Sequence, residues 1–334
     1  MLRFWKKKQK IIIGIHGIGN KPAMRLLRIW WKKAISEGLE RLGHPVKNFD
    51  FEMVYWANFL YSDPLRLKVK SRDNPLYISD PYMPALSNDI PRPPSRLHQL
   101  MLQATEKILD KIFLTEHKFL NVDWIADFII RTRFKDLDLY YHQANVDPTR
   151  PGFHARAMIR QELARALKKH RDKDILLIAH SMGSIIAYDV LTQVVPDIKI
   201  HTFLTLGSPL GLPAIIKKIL TEQRIDFRKE KRAPSPENIQ HAWINVSDLS
   251  DRITISYDLN DDFKPNSRNI APVDILVEND YVFRNERNHH VSYGYLRTPA
   301  AAEVIHEFLI EEKSIQTGVF KRKLQKLAGT LWEE

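Results

Sequence analysis

Short apolar runs alternate along this chain with longer stretches in which apolar positions recur every three or four residues. The run from Lys10 to Ile15 reads as a buried strand. Asn20 and Pro22 read as the cap and first turn of a helix from about Pro22 to Leu42 that stops at Gly43. Phe49 to Trp56, rich in aromatic and apolar residues, predicts a second strand. The alternation resumes with a helix from about His154 to Lys169, a strand Ile175 to Ala179, a helix Gly183 to Val194 and a strand Ile198 to Leu206. Ala242 to Val246 and Val273 to Val277 predict two more strands, and Ala300 to Glu311 a late helix. Strands alternating with helices of this length imply a mostly parallel sheet covered on both faces.

One interval breaks the rhythm. Between about Tyr61 and Pro94, prolines at 64, 75, 81, 84, 91, 93 and 94 prevent any regular element. Two apolar-periodic stretches follow, one through Leu97, Met101, Ile108 and Ile112, the other through Phe119, Trp124, Phe128 and Ile129, and both predict helices. The expected organisation is therefore an α/β core from 1–60 and 136–312, a Pro-rich and helical cap or lid insertion over 61–135, and a basic amphipathic helix over 313–334.

At 334 residues, with 44% hydrophobic and 27% charged positions, the chain can bury a large core. No stretch approaches the roughly 18 apolar residues of a membrane-spanning helix, and the start MLRFWKKKQK runs into a strand rather than a signal-peptide apolar region. A cytoplasmic protein is expected. The absence of cysteine excludes disulfide scaffolds, thiolate metal sites and cysteine nucleophiles. A net charge of +11 and a pI near 9.5 imply attraction to something anionic. Lys and Arg are spread over the whole length, with no zinc-finger spacing and no aromatic-basic signature, so nucleic acid is not expected as a partner. The basic, apolar-periodic end from Val319 to Trp332 and the start Phe4-Trp5-Lys6-Lys7-Lys8 suit either peripheral contact with an anionic membrane or packing on the body.

The segment from Ile175 to Ala187 is an apolar strand, a tight turn around Ser181 and an apolar helix. Within it, Ala179-His-Ser-Met-Gly183 nearly matches the G-x-S-x-G turn that lifts a nucleophilic serine clear of the backbone, departing only at Ala179. The competing reading is a serine that merely caps a helix. Gly14-Ile-His-Gly-Ile-Gly19 directly follows the first strand, where such a fold places half of an oxyanion hole. The N–H groups of Ile18 and Met182 are the expected donors. A phosphate-binding loop would need lysine after Gly19, but Asn20 stands there.

A nucleophilic serine needs an imidazole and an orienting carboxylate, and in this chain order both follow it. Asp251, with Asp248 as a rival, lies in the run Trp243 to Arg252, just beyond a predicted strand. Asn288-His-His-Val-Ser-Tyr293 offers His289 and His290, of which His290 has the preferred register. His180, beside the serine, reads as a structural residue of the turn.

The motifs HGIG at His16, IAHSMGS at Ile178, LGSPLG at Leu206, WINVSDLSD and HHVSY together resemble the lipase and esterase branch of the α/β hydrolases. The likeness is greatest to bacterial proteins similar to GPI-inositol deacylases and related lipases, over the first roughly 55 residues and from about Asp136 onward. It implies an α/β-hydrolase fold, with a mostly parallel central sheet, helices on both faces and a helical cap insertion. It further implies Ser181, Asp251 and His290 as a catalytic triad, an oxyanion hole from Ile18 and Met182, and substrate contacts from His16, Gly17, Gly19, Ser208 and Pro209. The implied reaction is hydrolysis of a carboxylic ester, lipid or other, through an acyl-enzyme without metal or organic cofactor. The alternatives are an acyltransferase using the same serine and an idle binding protein at membranes.

Overall fold

The computed structural model describes residues 8–86, 135–141, 154–251, 253 and 258–310. The helices expected through Leu97–Ile112 and Phe119–Ile129, the 313–334 helix and the basic start at 4–7 lie outside the described residues.

Six parallel strands form the central sheet: β1 (Lys10–Ile15), β2 (Phe51–Val54), β3 (Asp174–His180), β4 (Ile200–Leu206), β5 (Ile239–Asp248) and β6 (Pro272–Val277). They lie in the order β2-β1-β3-β4-β5-β6. Helices α1 (Met24–Arg41), α7 (Ser292–Leu296) and α8 (Pro299–Ile310) cover one face. The other face carries α3 (Lys135–Tyr141), α4 (Ala155–Lys169), α5 (Met182–Asp189) and α6 (Pro213–Glu222), and a short α2 (Ala57–Leu60) follows β2. Both faces are apolar because alternate strand residues point opposite ways. In β1, Ile11, Ile13 and Ile15 enter the α4–α6 layer, and Ile12 enters the α1–α8 layer.

Gly14 continues the Ile12 face, and its missing side chain is what admits Trp31 of α1. A Cβ there would stand 2.8 Å from the Trp31 ring and 3.0 Å from Phe51. Gly14→Ala should therefore destabilise the fold by about 1–3 kcal/mol through overpacking. Calorimetry should show a melting point lower by a few degrees, and an unchanged one would mean that Trp31 moves aside freely.

Most sequence expectations hold within a few residues, and the differences have identifiable causes. Asn20 does not cap α1, whose N-cap is Ala23. Its side chain instead accepts from the Lys21 N–H at 2.8 Å and donates to Asp63 O at 2.8 Å, while Pro22 bridges to Leu65. The 20–22 stretch is thus occupied by strand-like pairing with the start of the Pro-rich interval. The helix expected to run to Val194 is α-helical only to Asp189 and closes with a π-turn over Val190–Val194. Helices α2, α3 and α7 are too short to stand out in the sequence, whereas α6, with Ile215, Ile216, Ile219 and Leu220 buried at helical spacing, was legible there and was missed.

Candidate active site

The loops at the carboxyl ends of β1, β3, β4, β5 and β6 converge, the usual ligand position in open parallel sheets. Ser181 ends β3 and begins α5, with φ 53° and ψ −132°. That conformation is costly for a side-chain-bearing residue, of order 1–3 kcal/mol, and persists only where the surroundings enforce it. Here they do. The Ser181 N–H donates to Leu206 O at 3.0 Å, and its carbonyl accepts from the N–H and hydroxyl of Ser184 at 2.8 and 2.6 Å. Gly183 lets the first turn of α5 press on the end of β1, since a Cβ there would lie 2.8 Å from the carbonyl oxygens of both Ile15 and His16.

His290 Nε2 lies 2.8 Å from Ser181 Oγ, and its Nδ1 lies 2.7 Å from Asp251 Oδ2. The rival pair meets elsewhere: His289 Nδ1 is 2.9 Å from Asp248 Oδ2, which also accepts from Asn279 N–H at 2.6 Å. Of the sequence alternatives, His290 and Asp251 are therefore the ones brought to Ser181. Asp251 is 3% exposed, so its charge depends on partners. Its Oδ1 accepts from Ile253 N–H at 2.9 Å, and its Oδ2 also accepts from Tyr295 OH at 2.8 Å. Gly207, at φ 54°, gives this carboxylate room, for a Cβ there would meet Oδ2 at 3.1 Å.

Three successive carbonyls hold the histidine loop. Asn279 Nδ2 donates to His289 O at 2.8 Å and to Val291 O at 2.9 Å, and His180 Nε2 reaches His290 O at 2.7 Å. Burial, reinforced by the charge of a protonated His290, pushes the His180 pKa well below the ordinary histidine value. His180 is thus a neutral donor to the loop, in keeping with a structural role. Tyr295 and Asn279 were not singled out from the sequence. The YGY stretch beside HHVS was the available signal for Tyr295, and Asn279 had none.

Gly17 runs directly past the serine: a Cβ on it would meet Ser181 Cβ at 2.6 Å. His16 is 1% exposed and fully engaged with the main chain. Its Nε2 accepts from Trp56 N–H at 3.1 Å, so its Nδ1 carries the proton and donates to Gly17 O at 2.9 Å. Among the described residues, the N–H groups of Ile18 and Met182 donate to no protein acceptor. The Gly207-Ser-Pro-Leu-Gly211 turn backs the site. Ser208 is fully buried, its hydroxyl 2.7 Å from Ser184 Oγ and accepting from Leu210 N–H at 3.2 Å. Ser208 thereby ties this turn to the first turn of α5, and Pro209 beside it is buried, its carbonyl accepting from Leu212 N–H at 3.1 Å.

A cavity of about 390 Å³ opens beside His290, walled in part by His16, Ile18, Gly19, Lys21, Trp31 and Asp80. Lys21 is partly buried there, and loss of hydration lowers its pKa to about 8 despite Asp136 and Asp80 nearby.

Burial also lowers the His16 pKa from 6.5 to about 3, with Lys21 adding repulsion. The unfolded chain therefore takes up a proton at His16 between these values and the folded chain does not. The associated stability is complete above pH 6.5 and is lost as pH falls towards 3, by up to ~1.4 kcal/mol per unit. His180 acts in the same direction. Melting curves at pH 7.5, 6 and 5 should show a progressive fall, and a flat series would contradict neutral burial of these rings.

The serine-centred elbow is the segment that known proteins share. Residues 153–227 match the lecithin:cholesterol acyltransferase family. The match spans about a fifth of the chain, from α4 through the elbow to α6, and stops short of Asp251 and His290. Together with the six parallel strands flanked by helices, it identifies an α/β-hydrolase fold. No curated protein sequence matches the chain. Among the described residues, no helix is long and apolar enough to cross a membrane.

Proposed function

We propose that the protein acts on acyl esters through Ser181, with His290 as base, Asp251 as the orienting acid, and water as the usual acceptor. The observation that carries this reading is the continuous chain of contacts from Ser181 Oγ through both nitrogens of His290 to Asp251, on a strained elbow. In the reaction, Ser181 Oγ bonds to the ester carbon while its proton passes to His290 Nε2, and the carbonyl electron pair moves onto oxygen. Ile18 and Met182 N–H stabilise that oxyanion. Collapse expels the alcohol, which takes the proton from His290, and the acyl-serine is then opened by water in the same two steps. His290 Nδ1–H stays on Asp251 throughout, which fixes the tautomer that leaves Nε2 free to accept.

The lecithin:cholesterol acyltransferase match supports a second outcome, transfer of the acyl group to an alcohol. The likeness to GPI-inositol-deacylase-like lipases favours water and a lipid ester. No cofactor enters the proposed cycle, and peripheral contact with anionic membrane would bring the protein to such substrates.

The deciding experiment is labelling by a fluorescent fluorophosphonate with peptide mapping, on wild type and Ser181→Ala. Label on Ser181 that vanishes in the variant is the expected result. Products formed from a p-nitrophenyl ester with and without added alcohol then separate hydrolysis from transfer. Folded protein that stays unlabelled in detergent would turn the assignment towards a binding protein.

A further inference from the structure

We infer that Lys21, Asp136 and Tyr61 form a clamp that positions the oxyanion donor of Ile18; this rests on the serine-hydrolase reading above. The donor belongs to the peptide joining Gly17 to Ile18, whose carbonyl His16 already holds. The next peptide, joining Ile18 to Gly19, is held at both ends. Its carbonyl accepts from Lys21 Nζ, and its N–H donates to Asp136 Oδ2 at 2.6 Å. Ile18 is thus fixed by the peptide on either side of it. The other oxygen of Asp136 accepts from Tyr61 OH at 2.6 Å.

The loop needs such restraint. Gly17 must lack a side chain to pass Ser181, and Gly19 sits at φ 83°, so two of its residues have the widest conformational freedom. A free loop would sample many orientations of the Ile18 N–H, and misplacement by about 1 Å can cost roughly a hundredfold in rate. Both Asp136 contacts are short bonds to a carboxylate that is 4% exposed, the stronger kind of hydrogen bond. The Lys21 ammonium, facing Asp136, Asp80, His16 and His180, is directed at backbone although it borders the cavity. Tyr61 and Asp136 also stand at the two ends of the 62–135 interval, so the clamp ties both ends of that interval to the oxyanion loop.

The test compares Tyr61→Phe, Asp136→Asn, Lys21→Met and Lys21→Arg with wild type on p-nitrophenyl butyrate, and measures inhibition by an alkyl trifluoromethyl ketone. That ketone adds to the serine and places an anionic oxygen in the hole. Expected are losses in kcat of about tenfold for Tyr61→Phe and up to about a hundredfold for Asp136→Asn and Lys21→Met, with KM within about twofold. The ketone inhibition constant should rise in proportion to the loss of kcat/KM, and Lys21→Arg should recover most of the loss. A merely structural role would lower the melting temperature without that proportionality. An inhibition constant that stays flat while kcat falls, or a Lys21→Met effect confined to KM, overturns the clamp. Tyr61→Phe removes a single hydroxyl and keeps the test valid should Asp136→Asn fold poorly. Wild type that does not label at Ser181 defeats the hydrolase reading itself, whereas labelled wild type with unaffected variants defeats the clamp alone.

Discussion

His290→Ala is expected to lower kcat on a p-nitrophenyl ester by about a millionfold, the scale seen when a triad base is removed, while His289→Ala keeps kcat within about tenfold. The two histidines are adjacent and similarly placed near the surface, so composition and exposure do not separate them. The separation is geometric: only His290 reaches Ser181 Oγ, at 2.8 Å, while His289 turns to Asp248. His289→Ala removes the hydrogen bond with Asp248 and is expected to cost stability. Its backbone carbonyl, the group that Asn279 holds, is retained. Kinetics on both variants, with melting curves to establish folding, check the assignment. Equal losses from the two would mean that the histidine loop acts as a unit and that His290 has no special part.

Asp251→Asn should cost about 10⁴-fold in kcat with little change in KM. An asparagine amide there would donate towards His290 Nδ1, which favours the tautomer with its proton on Nε2. That proton then faces Ser181 Oγ, and the ring can no longer accept. The contrast is Asp248→Asn, expected to lower the melting temperature and to leave kcat within about tenfold. Asp248 accepts from the Ser250 and Asn279 N–H and meets the His289 ring, all groups of the loop framework. Fluorophosphonate labelling rates give an independent reading, slow for Asp251→Asn and near wild type for Asp248→Asn. A reversed pattern would exchange the roles of the two aspartates.

Much of this architecture is legible without coordinates because it depends on local pattern. The isoleucines of β1, the apolar run into Ser181 and the glycine after α1 each signal their element within a few residues, since strand and helix periods leave direct marks on sequence. The serine is equally legible, because the elbow needs small residues at fixed positions around it. Other positions are misread or missed for physical reasons. Asn20 has the composition of a helix cap, yet its side-chain amide donates to the carbonyl of residue 63, a partner that no local pattern encodes. Lys21 and Asp136 are separated by more than a hundred residues, and each alone is an ordinary charged position. Tyr295 and Asn279 act on backbone and carboxylate groups of other loops, so their chemistry becomes visible only when those loops meet.

What the sequence by itself determined is the alternating α/β order, the sharp turn around Ser181 and the two pairs, His289/His290 and Asp248/Asp251, from which its partners had to come. All of these follow from residue type and spacing within one segment. Only the tertiary structure decided that His290 and Asp251 meet Ser181 while His289 and Asp248 meet each other, and that the loop through Gly17 and Gly19 is held from residues 61 and 136. Those pairings depend on how far each strand carries its loop and on which side chain the loop turns inward. A shift of one residue reverses that direction, and neighbouring histidines in a sequence carry no record of it.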